Sequence, residues 1–311
     1  MPDVIGYIFT LDALFTWALA SLVYKYALGK TKSKASLLFR LLIVTGWTFF
    51  ISLILGNYSF ISLLNEQQLF DYLLACLISG LSVTIGDLLY FISLQKIDAS
   101  RAYPLTQLSL VFVYPFAFFF FGEVIKMSIL LGGALILSSV FILSSKDAPL
   151  KELSSSNSDN KPKESLFIGI LCAVGCAFLW ALAIVSFNQA RVLSSDVFVT
   201  NFIRVGFGAS FFLIVGIFDK RFYSAFKSEE KKNIKYYFFV GLAGSLSLGF
   251  ADSLFYKAAE INGLVLTSTF TANTPMVQQI FSILFLKEKF RKRFIFAVAL
   301  IIIGNYIIIF L

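Results

Sequence analysis

Long apolar stretches alternate with short polar breaks along this chain, and each stretch has the length of a bilayer crossing. Apolar runs between breaks predict ten helices, over residues 5–28, 36–55, 71–94, 100–121, 127–144, 166–190, 196–218, 236–258, 263–285 and 293–311. About 20 apolar residues, rising ~1.5 Å each in a helix, cross the ~30 Å of hydrocarbon in a membrane. One break differs from the rest. From Ser145-Lys146-Asp147-Ala148-Pro149 to Lys161-Pro162-Lys163-Glu164 it is rich in Ser, Asn, Lys and Pro, with too little apolar surface to order itself. This hydrophilic linker, 145–165, separates five helices in 1–144 from five in 166–311.

The two sets repeat each other. Gly86-Asp87 is followed 36 residues later by Glu123, and Ala251-Asp252 is followed 36 residues later by Glu288. Trp17-Ala18-Leu19-Ala20 returns as Trp180-Ala181-Leu182-Ala183, Phe39-Arg40 as Ile203-Arg204, and Gly133-Ala134-Leu135-Ile136 as Val298-Ala299-Leu300-Ile301. The offsets run from 163 to 165 and keep their order along the chain. An odd number of helices per repeat turns the second copy over, so the expected architecture is all-α, with two inverted five-helix repeats.

Composition agrees: 58% of residues are hydrophobic, 14% are charged, and the mean hydropathy is +0.84. A soluble domain is nearer one quarter charged, so the chain reads as a multi-pass membrane protein, with the lipid bilayer as its environment. The net charge of +8 sits mainly in short loops and points to membrane topology, not to nucleic acid. The loops after helices 1, 3, 5, 7 and 9 carry 20 of the 26 Lys and Arg, which predicts that those loops are cytoplasmic and both termini external. The plasma membrane is the expected location. With no histidine, imidazole metal sites and His-based acid–base chemistry drop out, and no cofactor or metal is expected. Cys76, Cys172 and Cys176 fall in apolar segments and read as packing residues. The first apolar stretch lacks a preceding basic region, so no cleavable signal peptide is expected.

Charges in hydrocarbon are costly, which makes intramembrane ones candidate functional residues. Helix arithmetic puts Lys25, Arg40 and Asp87 together near the cytoplasmic side, and Asp12, Arg204 and Asp252 together near the outer side. Such clusters fit two roles: staples between neighbouring helices, or gates that open in turn. The outer cluster holds one carboxylate more than it has bases, so Asp12 or Asp252 is a candidate for binding a coupling proton or cation. Between the clusters, the ninth helix presents Thr267, Thr271, Asn273, Thr274 and Gln278, and Pro275 is expected to kink it. Tyr103, Thr106 and Gln107 of the fourth helix, with Trp17 and Trp180, complete a candidate cavity with aromatic walls and few polar anchors. Interhelical hydrogen bonding and plain packing are the competing accounts of these residues. Glu123 and Glu288, near Lys126, Lys287 and Lys289, read as solvated pairs at the interface, and the basic segment Lys220 to Lys235 as a loop facing lipid headgroups.

The paired five-helix pattern, a tryptophan in each first helix, an arginine in each second, and fourth helices closing on Gly122-Glu123 and Lys287-Glu288 with Pro275 upstream, resemble the drug/metabolite transporter superfamily in its ten-span EamA form. The resemblance implies a secondary transporter or exporter of a small molecule, with a central cavity between two lobes and no ATP site. Half 1 departs from the pattern with Leu110 where half 2 has Pro275, and the loop charges oppose the family's usual cytoplasmic termini. A channel or a subunit of a membrane complex is the rival reading. An intramembrane aspartyl protease is disfavoured, because Asp87 and Asp252 are expected at opposite sides and Thr84-Ile85-Gly86-Asp87 lacks the Gly-x-Gly-Asp signature.

Overall fold

The computed structural model describes residues 3–97, 99–144, 161–194, 196–286 and 292–310, and among them every regular element is helical. Seven helical segments are long and apolar enough to cross a membrane, and two shorter apolar helices, Met127–Ile142 and Phe294–Phe310, accompany them. The first half is α1 (Val4–Leu28), α2 (Ser33–Leu55), α3 (Glu66–Lys96), α4 (Ala99–Thr106), α5 (Ser109–Phe121) and α6 (Met127–Ser144). The second is α7 (Lys161–Ser194), α8 (Val197–Phe218), α9 (Ile234–Gly244), a π-helix (Ser245–Ala251), α10 (Asp252–Asn262), α11 (Leu264–Thr271), α12 (Thr274–Leu286) and α13 (Lys292–Phe310). Local chemistry fixes several starts. The Asp3 carboxylate accepts the Ile5 N–H at 2.9 Å, Asn65 and Gln68 close a capping box on α3, and Asp196 accepts the Val199 N–H at 2.8 Å.

Three expectations need correcting. Helix α7 begins at Lys161, inside the expected linker, because Pro162 in a first turn gives up no hydrogen bond; the remaining linker residues, 145–160, lie outside the described residues. The fourth and ninth helices are each broken in two, at Gln107–Leu108 and at Ala272–Asn273, where short-range bonds such as Gln107 N–H to the Pro104 carbonyl replace the α pattern. Half 1 therefore breaks at the matching place without a proline at position 110. In half 2 Pro275 has no N–H for the Thr271 carbonyl, and the Thr274 hydroxyl takes that carbonyl at 2.5 Å instead. The eighth helix, expected as one span over 236–258, carries the π-helical turn immediately before Asp252.

The halves interleave. Helix α3 packs along α7, α2 against α8 and α9, and α1 against α9, the π-helix and α10. Helices α6 and α13 cross so closely at Gly132 and Gly304 that a Cβ on Gly304 would stand 2.8 Å from the Gly132 carbonyl. At the start of α1 the Asp3 N–H bonds Asn262 Oδ1 at 2.7 Å, tying the amino-terminal segment to the end of α10. At the other end of α1 the basic loops gather, with Lys32–Glu230 at 3.1 Å and Lys34–Asp219 at 2.6 Å. The Arg221 and Lys34 side chains donate to Asp219 and hold its carboxyl well below the usual range, and Asn233 and Lys32 lower Glu230. The segment after α8 does not simply face headgroups. Phe222 is buried against Phe212, Tyr223 Oη donates to the Leu213 carbonyl at 2.5 Å, and Lys34 lies 5.4 Å over the Phe222 ring.

Candidate functional site

Arg40 on α2 and Asp87 on α3 form a buried ion pair, and buried Arg204 on α8 pairs at 2.5 Å with the partly buried Asp252 at the start of α10. Each aspartate is also claimed by a tryptophan from the opposite half. Trp180 Nε1 donates to Asp87 at 3.1 Å, and Trp17 Nε1 donates to Asp252 at 3.0 Å. Each arginine lies over two aromatic rings. Arg40 is 5.0 Å from Tyr24 and 5.5 Å from Phe91; Arg204 is 4.7 Å from Phe187 and 5.7 Å from Tyr256. The offsets of 163 and 165 that relate the tryptophans and the aspartates also carry Tyr24 onto Phe187 and Phe91 onto Tyr256. The site is thus built twice from the same parts, each copy completed by the other half.

A cavity of about 120 Å³ lies between the two copies, several times the space one water needs. Both ion pairs line it, with Trp17, Trp180, Tyr24, Tyr90, Tyr103, Phe255 and Tyr256 as aromatic walls and Gln107, Ser21, Ser109, Ser247 and Thr271 as polar points. The Tyr90 hydroxyl is buried there with no hydrogen-bond partner among the described residues.

The two charge clusters expected at opposite sides are walls of one cavity, and each is smaller than expected. Asp12 sits on the exposed face of α1 and does not join Arg204 and Asp252. The surplus carboxylate vanishes with it: one aspartate faces one arginine in each copy. Lys25 caps the carboxyl end of α3, donating to the carbonyls of Leu94 at 2.5 Å and Ile97 at 2.9 Å, two turns beyond Asp87. Of the expected cavity residues, Trp17, Tyr103, Gln107, Trp180 and Thr271 line it. Thr106 and Thr267 return their hydroxyls to the carbonyls of Tyr103 and Gly263, and Thr274 to that of Thr271. Asn273 bonds Asn305 Oδ1 at 3.0 Å and the Phe270 carbonyl, and Gln278 is buried elsewhere. The break in the ninth helix separates Asn273, Thr274 and Gln278 from the stretch that holds Thr267 and Thr271, so residues spaced for one continuous helical face no longer share it.

Glu123 is not a solvated partner of Lys126. Its two carboxylate oxygens accept the N–H groups of Leu264 and Val265, at 3.1 and 3.0 Å, so the end of the first half's fourth helix caps α11 in the second half. Glu288, Lys287 and Lys289 lie outside the described residues. Asn201 was not singled out by sequence. It is fully buried, its Oδ1 accepts Arg204 Nε at 3.1 Å, and its Nδ2 donates to the carbonyls of Leu248 and Gly249. Its spacing from Arg204, one helical turn, was the available signal. Among the described residues no cluster of metal-ligating side chains occurs.

A model of the EamA-like transporter family matches residues 4–145 and again 167–310. An uncharacterized transporter from Archaeoglobus fulgidus is 24% identical over 295 residues, spanning 95% of this chain and 94% of that one. A solved crystal structure superposes with a TM-score of 0.69 at 14% identity, over 97% of this chain and 95% of its own, a likeness of fold.

Proposed function

The chain belongs to the EamA-like transporter family, and from that premise we propose a ten-span secondary carrier that moves a small organic metabolite through the central cavity by alternating access. In this reading residues 1–144 and 166–311 are inverted five-helix repeats, the basic loops face the cytoplasm, and the cell membrane is the site of action. The observation that carries it is the cavity itself: it lies between the halves, and each of its aspartates is bonded by an arginine of its own half and a tryptophan of the other. Relative motion of the halves must break at least one of those tryptophan bonds, which is what a rocking carrier requires. Two aspartates balance two arginines, so the walls favour a cargo without net charge, held by aromatic faces and a few hydrogen bonds. A proton taken up by an aspartate as its arginine withdraws would couple transport to a gradient.

The test is counterflow into proteoliposomes loaded with a pooled metabolite extract, with and without a pH gradient. Saturable exchange of a defined compound supports the carrier, and its loss in Trp17→Phe combined with Trp180→Phe ties exchange to the crossed bonds. Flux that rises linearly with concentration and shows no counterflow would replace the carrier with a channel.

A further inference from the structure

The two copies of the site are not equally held. Arg204 has its Nε bonded to Asn201 and its Nη2 to Asp252. Arg40 bonds Asp87 through Nη1, while its Nε is buried without a partner among the described residues. The cause is one residue: three positions before Arg204 stands Asn201, and three before Arg40 stands Leu37, an equally buried apolar side chain.

Asn201 also grips the neighbouring helix. Its Nδ2 reaches the Leu248 carbonyl at 2.9 Å, the Gly249 carbonyl at 2.8 Å and Ser253 Oγ at 3.1 Å. These belong to the π-helix and the first turn of α10, whose widened ring leaves backbone carbonyls for side chains to claim. Half 1 has no such turn, since α3 is regular through Asp87. The sequences give the reason: Gly80-Leu81-Ser82 of half 1 stands against Gly244-Ser245-Leu246-Ser247 of half 2, and the extra residue, Ser245, opens the π-helix. First-half side chains add to the grip. Tyr24 Oη meets Ser247 Oγ at 2.7 Å, and Trp17 Nε1 lies 3.3 Å from the Ser247 carbonyl as well as bonding Asp252. Among the described residues no side chain bonds the backbone just ahead of Asp87 in this way: Trp180 bonds the carboxylate and packs on Gly86 and the Tyr90 ring, and the cross-half bond of α3, Ser79 Oγ to the Ala183 carbonyl at 2.7 Å, lies two turns away.

We infer that Asn201 is a positioning residue that makes Arg204–Asp252 the fixed wall of the cavity and leaves Arg40–Asp87 as the pair that opens and closes. The inference rests on the carrier reading for its purpose, but the asymmetry it describes is measurable without any cargo. A fixed pair gives one half a constant surface to close against, while the other pair, held by fewer bonds, separates at lower cost.

The test uses the full chain in lipid nanodiscs, labelled with 5-fluorotryptophan. Its three tryptophans, Trp17, Trp47 and Trp180, give three fluorine resonances, assigned by single Trp→Phe variants. In unliganded protein the Trp180 line should be split or exchange-broadened, reporting two states of the Asp87 pair, while the Trp17 line stays single and narrow. Asn201→Leu, which copies half 1, should make the Trp17 line split in the same way. Leu37→Asn, which offers an acceptor to Arg40 Nε, should sharpen Trp180 to one line and slow counterflow about tenfold, the weight of one buried hydrogen bond. Equal behaviour of Trp17 and Trp180 in the unmodified protein would overturn the inference, and so would an unchanged Trp17 line in Asn201→Leu. Should Asn201→Leu fail to fold, an unchanged Trp180 line in Leu37→Asn overturns it. Failure of counterflow in the unmodified protein would instead remove the carrier reading and leave the fluorine comparison standing.

Discussion

Arg204 is fully buried, and its charge is tolerable only because every side of it is answered: Asp252 and Asn201 by hydrogen bonds, Phe187 and Tyr256 by ring faces. Removing one member strands the others. Asp252→Ala leaves a buried guanidinium and the Trp17 N–H without their carboxylate, and the expected cost is about 3–5 kcal/mol of stability. Replacing both charges by apolar groups of similar volume, Arg204→Met with Asp252→Leu, should recover most of that loss, because no uncompensated charge remains. Thermal melting in detergent measures the recovery, and counterflow separates the two roles a buried pair can have. If the pair is only a staple, the double variant melts normally and transports normally. If it is a working wall of the cavity, the double variant melts normally and does not transport.

At the scale of elements, the junction between α5 and α11 joins the halves through one carboxylate. Both Glu123 oxygens serve first-turn N–H groups of α11, where the helix dipole favours a negative charge. Glu123→Ala should cost about 1 kcal/mol, the usual worth of a cap. Glu123→Gln, which keeps an acceptor and drops the charge, should cost less, and urea-dependent unfolding of the three proteins orders them. This contact was hidden in the sequence. Lys126 stands three residues away and invites a local pairing, whereas Leu264 is 141 residues distant and offers only backbone. The arginine–aspartate partners were legible because charges in a membrane segment are few and each repeat supplies one such pair on its second and third helices at matching positions. The crossing of Trp17 to Asp252 and Trp180 to Asp87 was not, since a repeat reveals that two residues are equivalent and leaves open which half each one touches. The breaks show the same division. Pro275 announces one at Ala272–Asn273, but the matching break at Gln107–Leu108 has Leu110 in the proline's place and no such announcement. The π-helix was readable in principle from the extra Ser245, though only once the halves are aligned residue by residue.

For the whole molecule, the end opposite the amino-terminal segment is where the two halves are clasped by charge. Lys34 from the first turn of α2 holds Asp219 after α8, Arg221 holds the same carboxylate from its own side, and Lys32 from the α1–α2 turn holds Glu230. If those ends close and open as the carrier rocks, the clasp sets the balance between the two states, and its charge state sets the clasp. Both carboxyls are held below their ordinary values: Asp219 by the Arg221 and Lys34 side chains, Glu230 by Asn233 and Lys32. A carboxyl lowered by its partners contributes its stabilisation above its unfolded pKa, near 4 for Asp and Glu, and loses it as the pH falls through the lowered value. The clasp should therefore be intact from about pH 5 upward and loosen below about pH 4. Hydrogen exchange over residues 219–233 reads this directly, with protection steady from neutrality to about pH 5 once intrinsic rates are corrected, then falling. In Asp219→Asn, with the Glu230 pair left alone, the neutral-pH protection should already be reduced and the acid step smaller. Protection that is the same in both proteins at every pH would mean that Phe222 packing on Phe212, and not the charges, holds this end together.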